Sequence, residues 1–290
     1  MLYTLKNSDL TVQVSDIGAE LQSVKRGDCE YIWVGNPDFW PFHAPLVFPV
    51  CGRFFDGKYT YRGKSYDILC HGFVRPSHFS VAYQDETSIC FSLCENEETL
   101  QVYPFRFIFR VWYLLDGGRL TCRFVMENPG TEVLPITVGG HPGFNVPLDG
   151  KGNFEDYYLE FGSTCSPDEL VFSETCFNTG KKRAYPLENG KILRLKHDLF
   201  SVDAVFLGNV APSVTLKSDK TERYVTLTYP DMPYLGIWHR PRTEAPYVCV
   251  EPWCGLPGYD GVIEDLATKP DMFRLQPGDS KNAEFSMFFG

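Results

Sequence analysis

Apolar and polar residues alternate one by one over much of this chain. In RLTCRFVMEN, residues 119–128, Leu120, Cys122, Phe124 and Met126 fall on one side, with Thr121, Arg123 and Glu127 on the other. RYVTLTYP, residues 223–230, sets Val225, Leu227 and Tyr229 against Thr226 and Thr228. A period of two belongs to a half-buried antiparallel strand. The same rhythm predicts strands at LYTLK (2–6), DLTVQVSD (9–16), SICFSLCE (88–95), FIFRVWYLL (107–115) and SVTLKS (213–218). Turn residues fall between them, at DGK (56–58), RGK (62–64), DGG (116–118), NPG (128–130) and ENGK (188–191).

Helical periodicity is scarce. The two short candidates, DFWPFHAPLV (38–47) and SPDELVF (166–172), are both cut by proline. Residues 150–190 carry the weakest pattern and read as a long excursion over the surface. No internal repeat, low-complexity stretch or linker divides the chain. Many short strands with little helix predict an all-β fold, one large antiparallel β-sandwich over residues 1–290 as a single domain.

A chain of 290 residues, 43% hydrophobic and 15% aromatic, can bury a large core. Its 23 Phe and 16 Tyr favour strands, where such side chains suit a pleated surface. The net charge of -10, with no basic block, excludes the electrostatic footprint of a nucleic-acid binder and disfavours anionic membranes. The ten cysteines include no Cys-x-x-Cys pair; Cys90 and Cys94 are four apart, Cys249 and Cys254 five. The N-terminal stretch MLYTLKNSDLTVQVSD has no apolar signal region, and no run reaches membrane-spanning length. A cytoplasmic protein with reduced thiols acting as small core hydrophobes is expected.

Three segments place reactive side chains among glycines, prolines and aromatics. FPVCGRFFDGKYTYRGKSYDILCHGFVR (48–75) holds Arg53, His71 and Arg75. Arg53 reads as a surface ion-pair partner or a ligand contact, and His71 as a hydrogen-bonded turn residue or a site residue. TVGGHPGFNVP (137–147) holds His141 and Asn145. Its glycines permit backbone conformations closed to other residues and clear side chains from around the imidazole, so His141 either caps a tight turn or stands at the mouth of a pocket. YLGIWHRPRTEAPYVCVEPWCGLP (234–257) ends an apolar run on Glu251, beside Trp253. A carboxylate desolvated there has a raised pKa and becomes a better base; an ion pair with an arginine is the plainer alternative. Trp238 and Trp253 are either platforms for a sugar ring or core.

Other chemistries find no support. H-E-x-x-H, G-x-S-x-G, the P-loop and the dinucleotide glycine fingerprint are all absent. Cys70 and His71 are adjacent, so as strand residues they would face opposite ways and form no nucleophile pair. What remains is an acid–base set of histidines, arginine and glutamate, with neither a metal nor a covalent nucleophile called for.

Together the segments resemble the aldose 1-epimerase (galactose mutarotase) family, with likeness to its bacterial LacX-like branch and to the related hexose-6-phosphate 1-epimerases. The likeness runs from IGAELQSVKRGDCEYIWVGNPDFWPFHAPLVFPVCGR through HGFVR and GGHPGFN to VCVEPWCG and FRLQPGDS. It implies a β-supersandwich and anomer exchange of a hexose without a cofactor. It implies that His141 protonates the ring oxygen and that Glu251 takes the proton from the anomeric hydroxyl. His71, Arg53 and Asp203 match sugar-binding positions, with Asp198 a competitor for the last; Arg75, Trp238 and Asn145 join them as candidate substrate contacts. Mutarotases of the family carry an Asn-Arg pair and LHGG where this chain has CGR and HGFVR, a departure that bears on which sugar is bound. For turnover, His141 is expected to be protonated while Glu251 is ionised.

The expected partner is a sugar or a sugar phosphate, bound by a monomer or homodimer. A phosphorylated substrate needs a cationic site, for which Arg53 and Arg75 are available. A sugar sensor without turnover, and a glycoside hydrolase or lyase, are the readings from other classes. The first sits poorly with the presence of both Glu251 and His141, the second with the lack of a second clear carboxylate.

Overall fold

The alternating runs all form strands in the computed structural model, which describes residues 1–290. Leu120, Cys122, Phe124 and Met126 are fully buried while their neighbours stay half-exposed. Strands Ile108–Asp116 and Arg119–Glu127 pair antiparallel across the Asp-Gly-Gly turn. They lie in a nine-stranded sheet whose centre, strand Ser280–Phe289, joins them to Val225–Thr228 and Ser213–Ser218. A second sheet runs, in spatial order, through Asn178–Ala184, Asp168–Phe172, Val205–Gly208, Tyr234–Trp238, Tyr247–Trp253, Gly139–Gly140 and Leu46–Val47, with Gly143–Asn145 also on Tyr247–Trp253. A four-stranded sheet over Leu2–Glu30 and two short ribbons complete the set, and every paired strand is antiparallel.

A cluster of 67 buried residues joins the inner faces of these sheets. Strand Tyr247–Trp253 is buried at all seven positions, because its second face is covered too. Val248 and Val250 belong to the main core, while Tyr247, Cys249 and Trp253 belong to two smaller clusters on the other face. Both-sided burial is why this strand reads as an apolar run rather than an alternation. Glu251 is the charged exception on the covered face.

The structure corrects three expectations. Residues 38–47 and 166–172 are not helical: the first is a chain of turns ending in strand Leu46–Val47, the second becomes strand Asp168–Phe172. The one α-helix, Glu97–Val102, is closed by a reciprocal cap between Asn96 and Thr99, a signal too short for a periodicity search. Residues 150–190 are no mere excursion. Strand Tyr157–Phe161 is inserted into the nine-stranded sheet beside Ser213–Ser218, and Asp168–Phe172 and Asn178–Ala184 extend the other sheet. Of the ten free thiols, five are buried as small hydrophobes would be, but Cys94 is exposed and four are half-buried. No helix is long and apolar enough to cross a membrane.

Candidate active site

Register places His141 opposite Glu251. Gly139 pairs with Trp253 and Gly143 with Cys249, and the residue midway on each strand is His141 and Glu251. Residues directly opposite in an antiparallel pair point to the same face. His141 Nε2 lies 3.3 Å from Glu251 Oε2, with His141 8% and Glu251 2% exposed. The chain holding His141 is a strand interrupted at Pro142, which has no N–H to give. It is anchored by His141 N donating to Pro45 O at 3.0 Å and by Val250 N donating to Pro142 O at 3.1 Å.

The glycines around His141 work differently from the sequence expectation. None of Gly139, Gly140 and Gly143 has a left-handed backbone. They clear space for large rings: a Cβ on Gly139 would lie 2.5 Å from Trp253, on Gly140 2.6 Å from Phe285, and on Gly143 3.0 Å from Trp40. Gly139 and Gly143 flank His141 on the site face, and Gly140 faces the core. Across the sheet, Gly236 opposes Glu251 and Phe206 opposes Gly236, so the carboxylate has an apolar floor beside it.

The cavity over this face has a volume of about 200 Å³, and Arg53, His71, Arg75, Asp203, Trp40 and Trp238 line it beside the His141–Glu251 pair. His71 enters from a loop. It lies in the left-handed region at φ 66, and Gly72 follows at φ 75, where a Cβ would lie 2.1 Å from Phe48 O. That turn admits only glycine at position 72, and a non-glycine residue held at positive φ is uncommon and strained. Gly52 N donates to His71 Nδ1 at 3.2 Å, and His71 N donates back to Gly52 O at 2.8 Å. With Nδ1 accepting, His71 keeps its proton on Nε2 as a donor. Arg75 is held with its guanidinium 4.4 Å above the Phe42 ring.

Burial dominates the electrostatics. It pushes Glu251 well above the usual carboxylate range, with the nearby Asp203 charge adding to the rise. It lowers His141 to about 3, helped by Arg75, and takes His71 well below its ordinary value, with His141, Arg75 and Arg53 contributing. Desolvation thus disfavours the charged form of both members of the pair. The ionised Glu251 and protonated His141 expected for turnover have to form against that desolvation.

The profile of the aldose 1-epimerase family matches residues 1–287. The chain belongs to the aldose 1-epimerase family. It is an isomerase of that type, and its substrate is a sugar. The LacX protein (plasmid form) of Lactococcus lactis subsp. lactis is 35% identical over 297 residues, with 99% of each chain covered. A galactose mutarotase related enzyme from Lactobacillus acidophilus is 38% identical with a TM-score of 0.95, over 100% of this chain and 97% of that one. A galactose mutarotase-like protein from Lactobacillus casei ATCC 334 is 31% identical with a TM-score of 0.93, over the whole of both chains.

In this epimerase Arg53, His71, Arg75, His141, Asp203, Trp238 and Glu251 all meet at one cavity, drawn from four separated stretches of sequence. Asp203 lines it and Asp198 does not; the latter sits in the short turn His197–Phe200. Asn145 is also outside. Its amide is spent on the Glu30 and Ile32 carbonyls at 2.9 Å each, where it pins the strand behind the site. The sequence reading missed Trp40, inside the stretch taken for a helix, and Phe172, Phe206 and Cys176. Phe172 and Cys176 arrive on the hairpin that was read as a surface excursion. Cys70 shares the cavity with His71. The site also gathers three possible metal donors, since His141, Cys249 and Glu251 have ligand atoms within 4.8 Å of one another; Cys249 is fully buried and does not line this cavity.

Proposed function

We propose that the enzyme exchanges the α and β anomers of a hexose by acid–base ring opening, with Glu251 as base and His141 as acid. The observation that carries this is the His141–Glu251 pair, 3.3 Å apart on the floor of the cavity. Glu251 takes the proton of the C1 hydroxyl as the bond from C1 to the ring oxygen breaks, and His141 delivers a proton to that oxygen. Rotation about C1–C2 and the reverse transfers close the ring as the other anomer. Positioned acid and base groups each contribute roughly 10²–10⁴-fold. Sugar hydroxyls donating to Glu251 favour its ionised form, and an ionised Glu251 favours a protonated His141, which together offset the desolvation of both charges. His71 Nε2–H, Arg53, Arg75 and Asp203 serve as the hydroxyl contacts, with Trp238 as an apolar wall. The cavity, smaller than the ~300–1,000 Å³ of drug-sized sites, suits one sugar ring better than a polysaccharide strand.

Anomer exchange followed by NMR on glucose, galactose and glucose 6-phosphate tests this. Glu251→Gln is expected to lose exchange while still binding sugar; exchange at the wild-type rate would remove Glu251 as the base.

A phosphorylated hexose is the second reading, favoured by one observation: neither Arg53 nor Arg75 is engaged in an ion pair, although both reach the cavity. Arg75→Ala is expected to weaken kcat/KM for glucose 6-phosphate about tenfold or more, as loss of a charge-assisted contact does, and to weaken it for glucose much less. Equal losses on both sugars would exclude a phosphate contact.

The single domain over residues 1–290 belongs to this reading, supported by the 67-residue core shared between the sheets. So do a cytoplasmic location, which the ten free thiols suit, and a monomeric or homodimeric state, which sedimentation tests.

A further inference from the structure

His141 lacks the hydrogen bond that usually aims a working imidazole. Its Nδ1 is buried with no well-formed hydrogen bond, only a contact with its own backbone, whereas the second ring nitrogen of such a histidine ordinarily donates to a carbonyl or carboxylate of another residue. A column of rings takes its place. Trp40 stacks on His141 with centroids 5.0 Å apart and planes at 27°. Tyr247 stacks on Trp40 at 5.6 Å and 15°, and Trp33 on Tyr247 at 4.7 Å and 28°. Trp238 and His71 meet the imidazole edge-on at 5.7 and 5.5 Å.

The segment that delivers Trp40 is itself fixed. Asn36 N and Trp33 Nε1 both donate to Trp40 O at 2.9 Å, and Trp40 N donates to Asn36 O at 2.6 Å. Arg240 Nη1 donates to the Asp38 and Phe39 carbonyls at 2.9 and 3.1 Å. Gly143 leaves the gap the indole fills, since a Cβ there would lie 3.0 Å from Trp40 Cζ3 and 3.1 Å from His43 O.

We propose that Trp40 is the positioning residue of this site: by stacking on His141 it fixes the plane of the imidazole and aims Nε2 at the reacting oxygen, the task a hydrogen bond to Nδ1 performs elsewhere. The indole face also favours the imidazolium at the moment His141 carries charge, in a place where water cannot. This rests on the reading of His141 as the acid. It differs from a platform role, in which an indole lining the cavity only holds the sugar. A platform acts on KM, whereas aim acts on kcat.

The test measures anomer exchange for wild type, Trp40→Phe, Trp40→Leu, Gly143→Ala and Glu251→Gln, with the His141 Cε1–H resonance recorded in each. Trp40→Leu is expected to lower kcat about 10- to 100-fold with KM little changed, the scale of a misaimed catalytic group. Trp40→Phe keeps a ring and is expected to retain most of kcat. Gly143→Ala, which crowds the indole without removing it, is expected to fall between them. The His141 resonance, shielded by the indole ring current, is expected to move downfield in Trp40→Leu. Should Trp40→Leu fail to fold, the order wild type, Trp40→Phe, Gly143→Ala in kcat and in resonance position carries the same expectation. Unchanged kcat in all Trp40 and Gly143 variants, with exchange lost in Glu251→Gln, overturns the positioning role alone. A raised KM with kcat intact overturns it in favour of a sugar platform. Wild-type exchange in Glu251→Gln overturns the acid–base reading on which the proposal stands.

Discussion

Glu251 and His141 are held where the folded state disfavours their charges, and this gives stability a definite sign. A carboxyl with a raised folded-state pKa binds its proton more tightly in the native protein than in the unfolded chain. Glu251 therefore favours folding below its ordinary 4.5 and opposes it increasingly as pH rises from there toward its raised value. His141, depressed from 6.5 to about 3, opposes folding as pH falls through that window. Glu251→Gln removes the first of these. Its stability relative to wild type is expected to improve from pH 5 to pH 8, where the wild-type carboxyl comes under growing pressure to ionise, while its activity is lost. Urea unfolding of both proteins at the two pH values measures the change; an identical difference at each would mean that Glu251 does not titrate between them. Of the site residues, the identities of His141, Glu251, His71 and Arg53 were legible in the sequence because each stands in a segment dense in glycine, proline and aromatics. Trp40 was not, because a tryptophan among prolines reads equally well as core. A raised Glu251 was legible from its place at the end of an apolar run, whereas the depressed His141 was not, since that depends on how completely the fold covers the imidazole.

At the level of elements, adjacent glycines with opposite duties show how one strand serves both core and site. Gly139 faces the cavity and makes room for Trp253; Gly140 faces inward and makes room for Phe285 of the central strand Ser280–Phe289. Alanine at either position overpacks its side, at a cost of about 1–3 kcal/mol. The consequences for activity are expected to part. Gly140→Ala lowers Tm by roughly 2–5 °C but retains exchange at temperatures where it is folded, while Gly139→Ala pushes Trp253 into the site and loses exchange as well. Thermal melts with anomer exchange measured well below Tm check this, and equal activity losses would mean that the two faces are not separate. Alternation located the outer strands, such as Leu2–Lys6 and Ser213–Ser218, because one side of each meets solvent. It failed for Asp168–Phe172 and Asn178–Ala184, where charged edge residues hide the period, and for the capped helix Glu97–Val102, which is too short to show one.

For the molecule as a whole, two large antiparallel sheets share one core, and the outer face of the smaller sheet becomes the floor of the site. Its row from Pro45 through His141, Glu251 and Gly236 to Phe206 joins residues separated by up to 206 positions, from 45 to 251. The all-β class, the positions of the seven alternating strands and the family were determined by the sequence alone, since periodicity and short motifs are local properties that survive without knowledge of neighbours. Which strands lie side by side, and hence that His141 and Glu251 stand 3.3 Å apart with Trp40 stacked over the imidazole, was decided only by the tertiary structure. Strand pairing in such a sheet is set by the burial of the whole inner face at once. A shift of one residue in register would turn Glu251 into the core and Val250 into the cavity, and no single segment carries that information.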